Sequence, residues 1–336
     1  MARDLAIDLG TANTLVYVRG RGVRLDQPTV IAINERTGHI LAMGDEAYAM
    51  IGRTPGHIMA VRPMRGGAIS DFDTTARLIR MLLERVGGGR LARPRVLICV
   101  PSAITQVERR AVQEATMAAG ARAAYLIEEP MAAAIGAGLP VHEPSGHLVV
   151  DVGGGTTEVA CISLGGIVAA KAIRVAGFDM DGAIASHLRR EYAMVIGERT
   201  AEQVKLAIGS AYPQPGERKA EVTGRELATG LPKTVPVTAA EVREALEDPV
   251  GQIVQAVVST LAEIPPELAG DVLDKGIFLA GGASMLRGLH ARIAHEAQVA
   301  VHQAEAPLEC VVLGAGRILE DFDELAPLFT DEPARR

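Results

Sequence analysis

Cysteine is scarce: Cys99, Cys161 and Cys310 are the only three in 336 residues, and each sits alone in an apolar run. An odd, dispersed set argues against a disulfide framework and reads as small core residues of a reducing compartment, with no thiol chemistry assigned to them. No stretch reaches the ~20 consecutive apolar residues of a transmembrane helix. The opening MARDLAIDLG, with Asp4 and Asp8, lacks the apolar segment of a secretory signal. These absences predict a cytoplasmic protein with at most peripheral attachment to a membrane. Basic charge is nowhere concentrated, and a formal net charge of -7 leaves no field to gather nucleic acid. Low-complexity segments are missing too, which excludes a disordered or fibrous chain.

What is present is an α/β pattern in two similar halves. The length exceeds what one core usually sustains, so two domains are expected, with room for a ligand between them. Two segments share one design: LAIDLGTANTLVYV from Leu5 and LVVDVGGGTTEVAC from Leu148. Each runs through aliphatic residues to an acid, Asp8 or Asp151, turns through small residues and resumes an apolar run. That is a β-hairpin with a glycine-containing turn, repeated at a spacing that suits a duplicated domain rather than a solenoid. Elsewhere strands alternate with helices. Thr105–Glu108 predicts a capping box for a helix ending at Gly120, and Thr200–Gln203 and Thr238–Glu241 predict two more. Pro130 suits the first turn of a helix through MAAAIGAG, and the strand GIFLA leads to a helix from about Ser284 to Glu296.

Turns built of glycine, threonine and alanine let backbone N–H groups approach a phosphate. Two matched turns, GTANT and GGGTT, are suited to grip a polyphosphate from both sides. Asp8 and Asp151 converge at the mouth of such a clamp, where Mg²⁺ would be held by one or two carboxylates and mostly by water. The competing reading is that each acid only caps its own turn. Glu128 and Glu129 precede Pro130; alternate residues of an extended segment face opposite ways, so only one of the two can face the phosphates.

The order IDLGTANT, LIEEPMAAAIGAG, VVDVGGGTTEVA and FLAGGASMLRG resembles the phosphate, connecting, second phosphate and adenosine segments of the actin, chaperone and sugar-kinase superfamily. With VERRAV, MIGRTP, IGERTAE and EVREAL, the likeness from about Arg3 to Leu319 is to the MreB family of bacterial actins. The resemblance implies a duplicated actin-like (ribonuclease H-like) ATPase fold. Domain I would occupy 1–140 with an insert at about 31–75, domain II 141–336 with an insert at about 180–250, and a C-terminal helix would return to domain I. It places Gly10, Thr11, Ala12 and Asn13 around the phosphates of ATP or ADP, with Gly153, Gly154, Gly155 and Thr156 opposite. Asp8 and Asp151 serve Mg²⁺ and its waters, and Glu129, favoured over Glu128, orients the attacking water. Extended backbone before Pro130 is expected to carry the Glu129 carboxylate into the cleft. Glu202 and Lys205, three apart on one helix, contact the nucleoside, although a solvent-exposed ion pair would look the same. Gly281, Gly282, Ala283 and Ser284 form the adenosine segment.

The family resemblance further implies slow ATP hydrolysis coupled to self-assembly into filaments at the inner face of the cytoplasmic membrane, and partnership with cell-wall elongation proteins. A chaperone would need a further substrate domain, and a small-molecule kinase would need a second catalytic base, for which the sequence offers no candidate. A non-polymerising actin-fold ATPase is the remaining alternative. Three residues depart from the family pattern: Ala283 for a glycine, Phe178 for an acid and Leu313 for a lysine. The loop GGGRLARPR, with Leu91 among arginines, is the expected membrane contact. In the tail, Leu319, Phe322, Leu325 and Leu328 share a helical face, which predicts packing on the chain's own domain or on a partner rather than on lipid.

Overall fold

The computed structural model describes residues 4–65, 68–69, 72–86, 93–216, 218–325, 328–329 and 334–335. The two repeated hairpins seed two sheets of one topology. In the first, Gly22–Pro28, Asn13–Val18 and Leu5–Leu9 form an antiparallel meander, and Arg95–Val100 and Ala123–Glu128 add in parallel on the far side of Leu5–Leu9. In the second, Gly166–Ile173, Thr157–Ser163 and His147–Val152 form the meander, extended in parallel by Ile277–Ala280 and Val301–Gln303. The strands LAIDL, RVLICV and HLVVDV are near-continuous apolar runs because helices cover both faces.

Phe72–Val86 and Gln106–Ala119 pack outside the first sheet, and Gly177–Tyr192, Glu247–Glu263 and Leu289–Ala297 outside the second. Between the inner faces lie two helices, Glu129–Gly136 and Cys310–Glu320, sharing one core with Ala6, Leu97, Val149 and Ala280 from the two sheets. Their backbones touch through glycine, in a reciprocal way. A Cβ on Gly136 would stand 1.8 Å from the Cys310 carbonyl oxygen, and a Cβ on Gly314 would stand 1.8 Å from that of Ala132.

Two small sheets flank the opening between the halves. One joins Ile31–Asn34, Ile40–Met43 and Ile58–Val61 beside the helix Asp45–Met50; the other joins Met194–Val195, Lys219–Glu226 and Pro232–Thr238 beside the helix Glu198–Ile208.

The predicted boxes at Thr105 and Thr238 form: each hydroxyl accepts from the N–H of the glutamate three residues on, at 3.2 Å, and each glutamate accepts from the cap N–H. Gly120 closes its helix in the left-handed conformation. The box at Thr200 does not form. The helix starts at Glu198 after Gly197, which has no side chain to cap it, and Glu198 in the first turn complements the helix dipole instead. The helix expected from Ser284 is also displaced. Gly282–Met285 is a 3₁₀ turn, and Gly288 at φ 75° breaks the chain before Leu289–Ala297.

The tail packs on its own chain. Phe322 meets Tyr125 edge-on and Phe329 meets it tilted, at 5.0 and 5.2 Å between centroids, and the Arg95 guanidinium covers Phe322 at 4.2 Å. Leu91 of the expected membrane loop lies outside the described residues. Among the described residues no helix is long and apolar enough to cross a membrane.

Candidate functional site

The two hairpin turns meet at the mouth of the cleft. A Cβ on Gly154 would fall 2.4 Å from the Ala12 Cβ, and one on Gly155 would fall 2.8 Å from the Thr11 side chain. Only glycine permits so close an approach. Each turn is braced from behind. Thr29 donates its hydroxyl to the Gly10 carbonyl and its N–H to the Ala12 carbonyl, both at 2.7 Å, and Asn13 donates to Asp26 at 2.9 Å. In the second turn the Gly153 N–H donates to the Thr156 carbonyl at 2.9 Å. The carbonyls of Gly153 and Gly154 accept from Gly177 and Phe178 at the start of the helix Gly177–Tyr192.

Asp8 and Asp151 hold matching places, each the second-to-last residue of its strand. Burial, then the neighbouring Asp26 charge, pushes the Asp8 carboxyl up to about 7. Burial, then Asp8 and Glu158, pushes Asp151 up to about 8. Two buried carboxyls held up by desolvation and neighbouring acids suit a divalent cation, whose charge would restore both to the ionised form. No cluster of three or more such ligands occurs among the described residues. A cation here would keep most of its waters, as Mg²⁺ prefers.

Glu129 faces the cavity between the turns. Burial, then Glu158, Asp8 and Asp151, holds its carboxyl well above the ordinary range. Glu128 points the other way and binds Arg109 at 2.9 Å. The expected reason needs correcting: the extended residue is Glu128, the N-cap, while Glu129 already begins the helix with Pro130 in its first turn, where the missing N–H leaves no helical bond unmade.

The remaining wall comes from the second half. Glu202, Lys205 and Leu206 line the cavity from the helix Glu198–Ile208. Lys205 pairs with Asp181 and donates to the Gly177 carbonyl, both at 2.9 Å, and burial pushes Asp181 up to about 6 despite that partner. Glu202 accepts the Tyr48 hydroxyl from across the opening. Gly281 packs directly on the acid: a Cβ there would lie 2.2 Å from the Asp151 carboxylate. Gly282 and Ala283 line the cavity with Met285, Leu308 and Val311, an apolar patch suited to a flat heterocycle. Ser284 does not reach it; the residue is buried and its hydroxyl donates to the Gly281 carbonyl at 2.7 Å. The whole encloses about 230 Å³.

A second cavity of about 560 Å³ has Thr11, Arg62, Gly155 and Phe178 in its lining. Phe178 acquires a physical role here. The Arg62 guanidinium lies 4.4 Å from its ring centroid and pairs with Glu198 at 2.5 Å, so a cation–π contact stands where the family pattern has an acid. Nothing in the structure explains Leu313.

Sequence reasoning missed Glu158, Asp181 and Tyr48. Glu158 sits opposite Asp151 in the second hairpin, where the first has Leu15 opposite Asp8. It is 1% exposed, and one oxygen accepts from the Ser102 N–H at 3.1 Å and from the Ser102 hydroxyl. An acid inside the apolar run TEVAC was the available signal. The three cysteines are buried, with Cys161 pushed up to about 11 and Cys310 to about 12 by desolvation, consistent with no thiolate chemistry.

Paired sheets of one topology, with a cleft between matched turns, define the class: this is an actin-like fold. Solved structures agree. The chain superposes on MreB5 of Spiroplasma citri bound to ADP with a TM-score of 0.92 at 36% identity, over 97% of this chain and 98% of that one. It matches the MamK double helical filament subunit in fold, at a TM-score of 0.80 and 22% identity over 95% and 98%. The MreB/Mbl family model covers residues 2–327. Two relatives are the cell shape-determining protein MreB of Escherichia coli, 49% identical over 98% of this chain and 97% of its own, and Mbl of Bacillus subtilis, 44% identical over 96% and 98%. The chain belongs to the MreB/Mbl family.

Proposed function

We propose that this protein is an ATP-dependent, filament-forming bacterial actin that organises cell shape through wall synthesis. The observation that carries this reading is the pair of glycine turns touching across the cleft, with Asp8, Asp151 and Glu129 at their meeting point. The MreB5 relative is described with both ADP and AMPPNP bound, and the relatives named above are cell shape-determining proteins.

In this reading residues 1–140 and 141–336 are the two actin-like domains, with inserts at about 31–75 and 180–250. Gly10 to Asn13 and Gly153 to Thr156 hold the phosphates, and Glu202 with Lys205 contacts the nucleoside. Gly281 to Ala283 carry the adenine, and Ser284 supports them by fixing the Gly281 carbonyl. Asp8 and Asp151 hold Mg²⁺ largely through water, and the ion, when bound, offsets phosphate charge. Glu129 orients the attacking water and draws on its proton; with positioning and charge supplied, little more is needed for slow hydrolysis. Filaments grow by repeated head-to-tail contacts, which do not close. They lie on the inner face of the cytoplasmic membrane, where many weak contacts add up, and meet cell-wall elongation proteins.

The test is pelleting and negative-stain microscopy with ATP and Mg²⁺, beside a Glu129→Ala variant. Nucleotide-dependent filaments that persist longer in the variant are expected. ATP binding with no assembly under any condition would remove the filament claim and leave a non-polymerising actin-fold ATPase.

A further inference from the structure

At the edge of the first sheet, away from the cleft, a cavity of about 260 Å³ is lined by Arg21, Arg24 and Arg85 with Val18, Leu25 and Val86. The sequence positions explain the gathering. Arg21 is in the turn between Asn13–Val18 and Gly22–Pro28, Arg24 is on the edge strand, and Arg85 is in the last turn of Phe72–Val86. All three are exposed.

Neighbouring arginines are neutralised by carboxylates. Asp4 takes Arg95 at 2.6 Å and reaches Arg19 and Arg122 at 3.7 Å, and Glu320 reaches Arg19 at 3.8 Å. The arginines of the cavity have no such partner among the described residues; Arg85 donates only to the neutral Gln27 amide oxygen at 3.2 Å. Like charges converging on one hollow repel each other unless an anion joins them. In a chain of net charge -7 this concentration is local and is not part of a general basic surface. Guanidinium groups around a hollow of this size match the oxygens of a phosphate ester, and Val18, Leu25 and Val86 offer apolar surface to the carbon attached to it.

We propose that Arg21, Arg24 and Arg85 form a binding site for the phosphate of an anionic lipid headgroup. The proposal rests on the reading of this protein as a peripheral membrane protein. The phosphate chemistry is shared with soluble phosphate esters, so the experiment carries both.

The full chain is titrated with vesicles of phosphatidylglycerol mixed into phosphatidylcholine, with pure phosphatidylcholine vesicles, and separately with glycerol phosphate. Arg21→Gln/Arg24→Gln is compared with the wild type. Each arginine near an anionic surface contributes about 1 kcal/mol, so the double variant should bind the anionic vesicles roughly 30-fold more weakly. ADP-induced thermal stabilisation should be unchanged, which shows that the variant is folded. Unaltered binding of the double variant to anionic vesicles overturns the proposal. If the wild type ignores every vesicle but binds glycerol phosphate through these arginines, the lipid assignment and the membrane reading fall together, and the site takes a soluble phosphate ester. If neither probe binds the wild type, there is no phosphate site here.

Discussion

Gly314→Ala tests how the floor of the cleft is built. The added methyl would sit 1.8 Å from the Ala132 carbonyl oxygen, where ordinary contact begins at 3.4 Å, so the two central helices must part by up to 3.4 − 1.8 = 1.6 Å. The obstacle is backbone, and no rotamer change can relieve it. Alanine gains about 1 kcal/mol over glycine in a helix interior, whereas overpacking a filled core costs about 1–3 kcal/mol. With backbone also 2.7 Å away at the Gly136 N, the upper end applies, giving a net loss of about 2 kcal/mol and a fall in Tm of roughly 3 °C for a chain of this length. Because Glu129 and Val311 ride on these helices, the ADP-induced rise in Tm should shrink as well. The control is Gly251→Ala, in the helix Glu247–Glu263, where an added Cβ meets nothing within 4 Å and propensity alone should raise Tm. Differential scanning fluorimetry with and without ADP reads both variants. If Gly314→Ala melts at or above the wild-type temperature, as Gly251→Ala does, the helices are free to separate and the argument fails.

Three further outcomes are expected. Folded Asp8 and Asp151 have carboxyl values of about 7 and 8 against an ordinary 3.8, so the native state binds more protons than the unfolded one between those limits. Stability of the ligand-free, chelated protein should therefore fall as pH rises from about 4 towards 8; thermal melts across that range should slope downward for wild type and flatten in Asp8→Asn. Tyr48→Phe removes the hydroxyl that occupies Glu202. If one hydrogen bond of about 1 kcal/mol opposes ligand entry, ADP should bind about fivefold more tightly in a fluorescence titration, and weaker binding would show that Tyr48 instead supports the site. Phe178→Asp exchanges the cation–π contact with Arg62 for an ion pair, both worth about 1 kcal/mol at a partly exposed site. Tm at low salt should move by no more than a few degrees, and gross unfolding would mean the ring carries packing that the Arg62 contact does not explain.

The parts of this protein that repeat were legible in its sequence. The paired hairpins, the acid ending each first strand and the capping boxes at Thr105 and Thr238 are local patterns, each decided within a few residues. Departures were of two kinds, small local shifts and contacts that a distant partner decides. Thr200 looked like a cap, but the helix begins two residues earlier. Ser284 looked like part of the adenosine segment, yet its hydroxyl is consumed by Gly281 while Met285 reaches the cavity. Tyr48 and Glu202 are 154 positions apart and meet only because the small sheets face each other across the opening. Gly136 and Gly314 carried no visible signal, since glycine at the end of a helix, as Gly136 is, usually means a cap, and Gly314 lies inside its helix; only the packed pair reveals what the missing side chains permit.

The reciprocal glycine contact has the geometry of a two-fold interface between identical subunits, with each partner offering the same patch and receiving the same patch in return. Here both partners belong to one chain, so the molecule is organised as a tethered dimer of its own halves. Covalent linkage frees the two copies to diverge without losing each other. They remain alike along the axis, where Gly136 meets Cys310 and Gly314 meets Ala132, and differ at the mouth, where Leu15 in one copy answers Glu158 in the other. A symmetric cleft would accept a linear ligand in either direction. It is the divergence at Leu15 and Glu158, with Glu129 contributed by one copy alone, that gives the cleft a front and a back.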